Sequence, residues 1–225
     1  MAVDARDAAL SYYRIRQALG ALGLALPALL IAGSLALGDP LPPALSDYWH
    51  TPLRDLFVGA MFAIGTFLVS YVGHTGGGGL LNDRNVSTLA GIGALGVALF
   101  PNETVDPCAG LMAQATLLGA LHVASAGLFL IATCAFCLVL FRRSNGPRSP
   151  AKRRRDRVYL ACGAAILVAL ALLGAWFLAP TEARCALRPW RPVLWLEIVT
   201  VWAFGLAWLV KGRGLQAVGR ALETA

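Results

Sequence analysis

Residues 165–178 read AILVALALLGAWFL, a run with no charged, amide or hydroxyl side chain. A strand of a membrane β-barrel would alternate between apolar residues toward lipid and polar ones toward the lumen, and this run does not alternate. It lies inside a longer apolar block, 158–179, and about 20 residues of helix cross the ~30 Å hydrocarbon core of a bilayer. With every backbone group satisfied inside the segment, a helix is the one open-ended structure that survives there. The run predicts an all-α integral membrane protein.

Five further blocks of comparable character lie outside it, at 18–38, 53–73, 86–101, 113–141 and 192–210. Block 86–101 is short for a crossing, and 113–141 is long enough to tilt or to reach into the outer interface. The whole chain is 58% hydrophobic and 14% charged, against about 45–50% and about 25% in soluble domains. That balance excludes a secreted disulfide scaffold, a coiled coil and a disordered chain. The expected architecture is a six-transmembrane-helix bundle forming one domain over 1–225.

Basic residues orient the bundle. The N-terminal arm, the segment after the second block, the loop 142–157 and the C-terminal tail together hold 15 of the 19 lysines and arginines. The opposite connections hold Arg54, Arg184, Arg188 and Arg191. By the positive-inside rule both termini are cytoplasmic, N-in and C-in, and the expected location is a bacterial inner membrane. Loop 142–157, RRSNGPRSPAKRRRDR, is the strongest determinant and is expected to engage anionic lipid head groups; nucleic acid is not an expected partner. Arg14 and Arg16 followed by an apolar run ending Ala36-Leu37-Gly38 resemble a signal peptide. The run of about 20 residues exceeds the 7–15 of a signal core, so a first membrane helix is expected instead.

Small residues set the packing. Ala90, Ala94 and Ala98, with Gly93 and Gly96 beside them, form a small-xxx-small ridge that lets helix backbones approach closely. Pro27 is expected to kink the first helix. The five cysteines divide by compartment. Cys108 and Cys185 fall in outward connections, where an oxidising compartment permits a disulfide or leaves two thiols. Cys134, Cys137 and Cys162 fall inside apolar helices and read as small buried hydrophobes.

Polar groups in a membrane bundle are costly and are the first candidates for function. They gather toward the outward half. Residues 45–57, LSDYWHTPLRDLF, bring Ser46, Asp47, Tyr48, Trp49, His50, Arg54 and Asp55 together; Asn102 and Glu103 lie at the outer end of the third block, His122 and Ser125 about two to three turns into the fourth, and Glu197 over one turn into the sixth. One reading is an interfacial loop, with Tyr48 and Trp49 as belt aromatics, Pro52 opening a helix and Asp55 favouring its N-terminus. The other is a head-group site in which Arg54 or His50 binds an anion and Asp47 or Asp55 orients it. Glu197 pairs with Arg54 or Arg191, or carries a proton. At 1.5 Å per residue, Asp55, His122 and Glu197 fall about 3, 14 and 8 Å below the outer starts of their blocks, which predicts one shared pocket if the helices adjoin. On the other face, His74 precedes four glycines, 76–79. With no preceding strand and no Gly-Lys-Ser/Thr ending these form a turn and not a phosphate loop.

Several of these features resemble the DRAM/Sfk-type family of six-span membrane proteins. They are a basic arm before one helix, an outward Leu45-Ser46-Asp47 ahead of a helix opening Asp55-Leu56-Phe57, Asn85 before the third helix, and His122-Val-Ala-Ser-Ala-Gly in the fourth. The resemblance implies lipid handling, such as glycolipid-anchor remodelling, phospholipid asymmetry or autophagy-related membranes, and carries over Ser46, Asp47 and His122. After Asp47 the chain departs, with Tyr48-Trp49-His50 in place of a small, Gly-containing continuation. The CREST group of intramembrane metal hydrolases is the rival comparison, since His50, His74 and His122 number three. No H-x-x-x-H pair exists, however, and His74 maps to the opposite side.

The function expected is binding or handling of a lipid head group or a membrane partner, including a second copy of the chain. The ligand set is Ser46, Asp47, His50, Arg54, Asp55, His122 and Glu197, and no metal or cofactor is expected. A small proton-coupled transporter or channel subunit, and a metal-assisted lipid hydrolase, stand as alternatives.

Overall fold

The structure, a computed structural model, describes residues 5–73, 79–103, 108, 116–144 and 149–212, with side chains from Tyr12 onward. Among the described residues all regular structure is helical. The helices are α1 (Ala5–Leu37), α2 (Arg54–Val69), α3 (Asp83–Leu99), α4 (Leu117–Leu138), α5 (Pro150–Leu178), a short α6 (Thr181–Leu187) and α7 (Pro192–Lys211). The six long ones correspond to the six apolar blocks.

Four of them, α1, α4, α5 and α7, are long and apolar enough to cross a membrane. The other two are short: α2 has 16 residues and α3 has 17, about 24–26 Å at 1.5 Å per residue. Many large apolar side chains are exposed on the outer faces of the helices, including Leu35, Ile131, Leu167, Phe177, Trp195 and Trp202. A soluble monomer does not expose apolar surface on this scale, whereas lipid covers it at no cost.

Three helix boundaries differ from expectation for local reasons. The basic loop 142–157 is helical from Pro150, because the Ser149 side chain accepts the Lys152 N–H and proline occupies the first helical turn. At the opposite end of the chain, α1 begins thirteen residues before its apolar block and runs through Pro27 without a break. Helix α4 starts at Leu117, where the Thr116 side chain caps the Gly119 N–H. The segment 181–190 is also helical, as α6 and a 3-10 turn. His74 and most of the glycine run lie outside the described residues.

Packing closes a ring in the order α1, α2, α3, α4, α5, α7 and back to α1. Small residues make the contacts possible. A Cβ on Gly205 would lie 2.7 Å from the Leu24 backbone nitrogen and 2.9 Å from the Gly20 carbonyl oxygen. One on Gly93 would lie 2.6 Å from the Phe129 nitrogen. Ala90 and Ala94 are fully buried, so the predicted small-residue ridge of α3 faces its neighbours. Cys134, Cys137 and Cys162 are free and buried. Cys108 and Cys185 are disulfide-bonded with Cα atoms 5.6 Å apart.

Candidate functional site

The segment between α1 and α2 folds across one end of the ring and fastens three helices. A 3-10 turn, Ser46–His50, carries most of the fastening groups. Tyr48 is fully buried and its hydroxyl shares a 2.9 Å hydrogen bond with Ser34 of α1. Trp49 donates its indole N–H to the Ala98 carbonyl at the end of α3, 3.2 Å away. His50 Nε2 lies 2.8 Å from the Asn102 carbonyl, and the Asn102 side-chain amide donates to Asp47. Helix α7 is held from its first turn, where Arg191 Nε donates to the Leu41 carbonyl and the Leu194 N–H to the Pro43 carbonyl.

Glu197 completes the clasp. Its carboxylate accepts the Leu45 N–H at 2.6 Å, the Ser46 N–H at 3.2 Å and the Ser46 hydroxyl at 3.3 Å. Two backbone donors stripped of water by the fold of the loop are thereby satisfied. The expected partners Arg54 and Arg191 are not used.

Below this clasp a crevice of about 50 Å³ opens between α2, α3, α4 and α7. Ser46, His122, Glu197 and Thr200 provide its polar wall; Phe57, Met61, Phe129 and Leu130 provide much of the apolar one. Because α4 begins at Leu117 and α7 at Pro192, His122 and Glu197 are each five residues into their helices. That is about 8 Å deep on both, so His122 is shallower than the block boundary had implied. His122 Nδ1 lies 2.8 Å from the Phe100 carbonyl; the ring nitrogen must donate there, which in the neutral imidazole leaves Nε2 as an acceptor.

The structure thus joins Ser46, His122 and Glu197 and leaves other predicted ligands outside the crevice. Asp55 points outward with its side chain 98% exposed, 3.8 Å from Arg54. The Arg54 guanidinium stacks over Trp49, 4.2 Å from the ring centroid, as a flat cation does on an electron-rich ring. His50 is spent on Asn102. Asp47 stands behind the crevice wall, where burial pushes its carboxyl above the ordinary carboxylate range. Hydrogen bonds from Asn102 and Ala44, and the His50 and His122 rings, oppose that shift. Tyr48, read as a belt aromatic, is instead a core residue. Sequence reasoning missed Thr200 and the aromatic walls, because an apolar residue in a membrane helix looks the same toward lipid and toward a crevice.

Deeper in the ring, aromatic side chains fill the space. Phe129 and Phe204 stand 5.3 Å apart, Trp208 meets Tyr71 edge-on at 5.0 Å, and Phe141 meets Trp208 at 5.1 Å. Among the described residues no group of three His, Cys, Asp or Glu side chains is placed to hold a metal ion. No protein-family model, curated protein or solved structure matches the chain.

Proposed function

We propose that the chain is a six-span inner-membrane protein, with both termini cytoplasmic, that binds a membrane amphiphile at its outward end. The observation that carries the reading is the convergence of Ser46, His122 and Glu197 on one apolar-walled crevice. A crevice of about 50 Å³, against about 30 Å³ per water, takes the tip of a head group with the remainder outside. Glu197 and the Nε2 acceptor of neutral His122 favour a hydrogen-bond-donating tip, so the ligand is a zwitterionic lipid presenting an ammonium or hydroxyl. This narrows the lipid-handling role implied by the DRAM/Sfk-type resemblance. The short α2 and α3 cross by local bilayer thinning, and anionic lipid gathers at the basic segment around 142–157.

Binding is favoured over transport because the Phe129, Phe204 and Trp208 cluster occupies the level between the two ends of the ring. A proton path would need polar groups or water there.

Native mass spectrometry with lipid extraction tests the reading on wild type, His122→Ala and Arg54→Ala. Wild type should carry an aminophospholipid that His122→Ala loses and Arg54→Ala keeps. A wild type without bound lipid, or a His122→Ala that retains it, overturns the proposal.

A further inference from the structure

At the opposite end of the ring a second cavity of about 160 Å³ is lined by Arg16 of α1, Arg143 after α4, Lys152 and Arg155 of α5, and Lys211 of α7. Four separate parts of the chain send a cation to one place, which a charge stripe along a single helix cannot do. Among the described residues no aspartate or glutamate lines the cavity. The adjacent Asp156 is bonded to Lys152 one turn away and Asp83 acts electrostatically on Lys211, so two nearby carboxylates leave the five cations with a surplus of three charges. Their mutual repulsion in a partly desolvated space is relieved by an anion and strengthened by the absence of one.

Three of the cations are held in position by neutral groups, and of the three Lys152 also pairs with Asp156. Arg16 Nη2 donates to the Tyr71 hydroxyl at 2.9 Å, and its guanidinium lies 4.2 Å from the Tyr12 ring centroid. Its Nε is buried with no acceptor among the described residues. Lys152 Nζ donates to the Phe141 carbonyl at 2.9 Å, and Lys211 Nζ sits 4.8 Å from the Phe141 ring centroid. Aromatic faces and a carbonyl orient these groups without cancelling them. The remaining two, Arg143 and Arg155, offer guanidinium forks that match the spacing of phosphate oxygens.

We propose that this cavity is an anion site for a phosphate monoester. A dianion with several acceptor oxygens uses the surplus of cations best, and the volume admits one tetrahedral group with few waters beside it. The last turn of α7 and the first turns of α5 put the cavity at the level where a bilayer presents its head groups and where soluble phosphate also reaches. The site is separated from the outward crevice by the length of α7 and does not depend on it.

Thermal-shift titration of the full chain in detergent tests the site with three probes: inorganic phosphate, dioctanoyl phosphatidic acid and dioctanoyl phosphatidylcholine. Phosphatidic acid should stabilise the protein and phosphatidylcholine, with the same tails and no monoester, should not. Stabilisation by inorganic phosphate as well identifies a soluble anion as sufficient; stabilisation by phosphatidic acid alone identifies the lipid head group. Apparent affinity should fall at least tenfold in Arg155→Gln, Lys211→Gln and the exposed Arg143→Gln, and stay within twofold in Arg84→Gln, which lies on α3 off the cavity. Equal stabilisation by phosphatidylcholine, no response to either phosphate probe, or a loss in Arg84→Gln as large as in Arg155→Gln overturns the proposal.

Discussion

The Glu197 carboxylate of α7 accepts the backbone N–H of Leu45 at 2.6 Å across the end of the ring where α7 begins. A carboxylate 152 residues away in sequence thereby holds the loop that roofs the crevice. Each charge-assisted hydrogen bond of this kind is worth about 1.5–3 kcal/mol, and removing the acceptor strands the donors. Glu197→Ala should therefore lower stability by about 3 kcal/mol, and Glu197→Gln, which keeps one carbonyl oxygen, by about half as much. Thermal denaturation in detergent reads the order; equal losses would mean that the carboxylate does not hold the loop.

The all-helical class and the six long helices were legible because the apolar blocks are continuous, and four of the helices are long and apolar enough to cross a membrane. The meeting of His122 and Glu197 was legible because both enter helices from the same end. Which groups satisfy Glu197 was not, since a sequence displays side chains and the partners are backbone N–H groups of Leu45 and Ser46. Arg54 looked like a ligand for the same reason: charge and position are visible in sequence, while stacking on Trp49 depends on the turn between them. Helix starts at Ala5 and Pro150 were hidden because hydropathy marks where a segment becomes apolar, and a basic segment capped by Ser149 becomes helical earlier.

Close approach of α1 and α7 gives a prediction of opposite signs at two glycines. Gly205 faces the α1 backbone, while a Cβ on Gly174 would meet nothing within 4 Å. Gly205→Val should cost about 3 kcal/mol or more by overpacking against backbone that cannot yield. Gly174→Ala should be neutral or stabilise by up to about 1 kcal/mol, since alanine restricts the unfolded chain and favours helix. Size-exclusion profiles and melting temperatures of the two variants check the contrast.

Two carboxylates outside the membrane helices titrate in opposite senses. Burial holds Asp47 above its ordinary value, so its folded form binds the proton more tightly. Its contribution is fully present below about pH 3.9 and is lost as pH rises through the folded value. Glu103 is held low by hydrogen bonds from Thr116, so its contribution is present above about pH 4.3 and is lost as pH falls through the folded value. Relative to wild type, the melting temperature of Asp47→Asn should rise with pH across this range and that of Glu103→Gln should fall. Parallel profiles for the two variants would contradict the assignment.

The bond between Cys108 and Cys185 joins residues 77 apart, and closing a loop of that length stabilises by about 4.5 kcal/mol in the chain-entropy account. Alkylation and mass spectrometry without reductant should find these two linked, with Cys134, Cys137 and Cys162 modified only after denaturation, because all three are buried. The same bond tests the proposed topology. If both termini are cytoplasmic, the bond faces the oxidising side, where a membrane-impermeant reductant reaches it in intact cells. A cysteine placed at Arg153, exposed at the start of α5, should then resist an impermeant maleimide until the membrane is opened. Labelling of that position in intact cells, together with a disulfide that resists the impermeant reductant, would invert the bundle and move the Glu197 crevice to the cytoplasmic side.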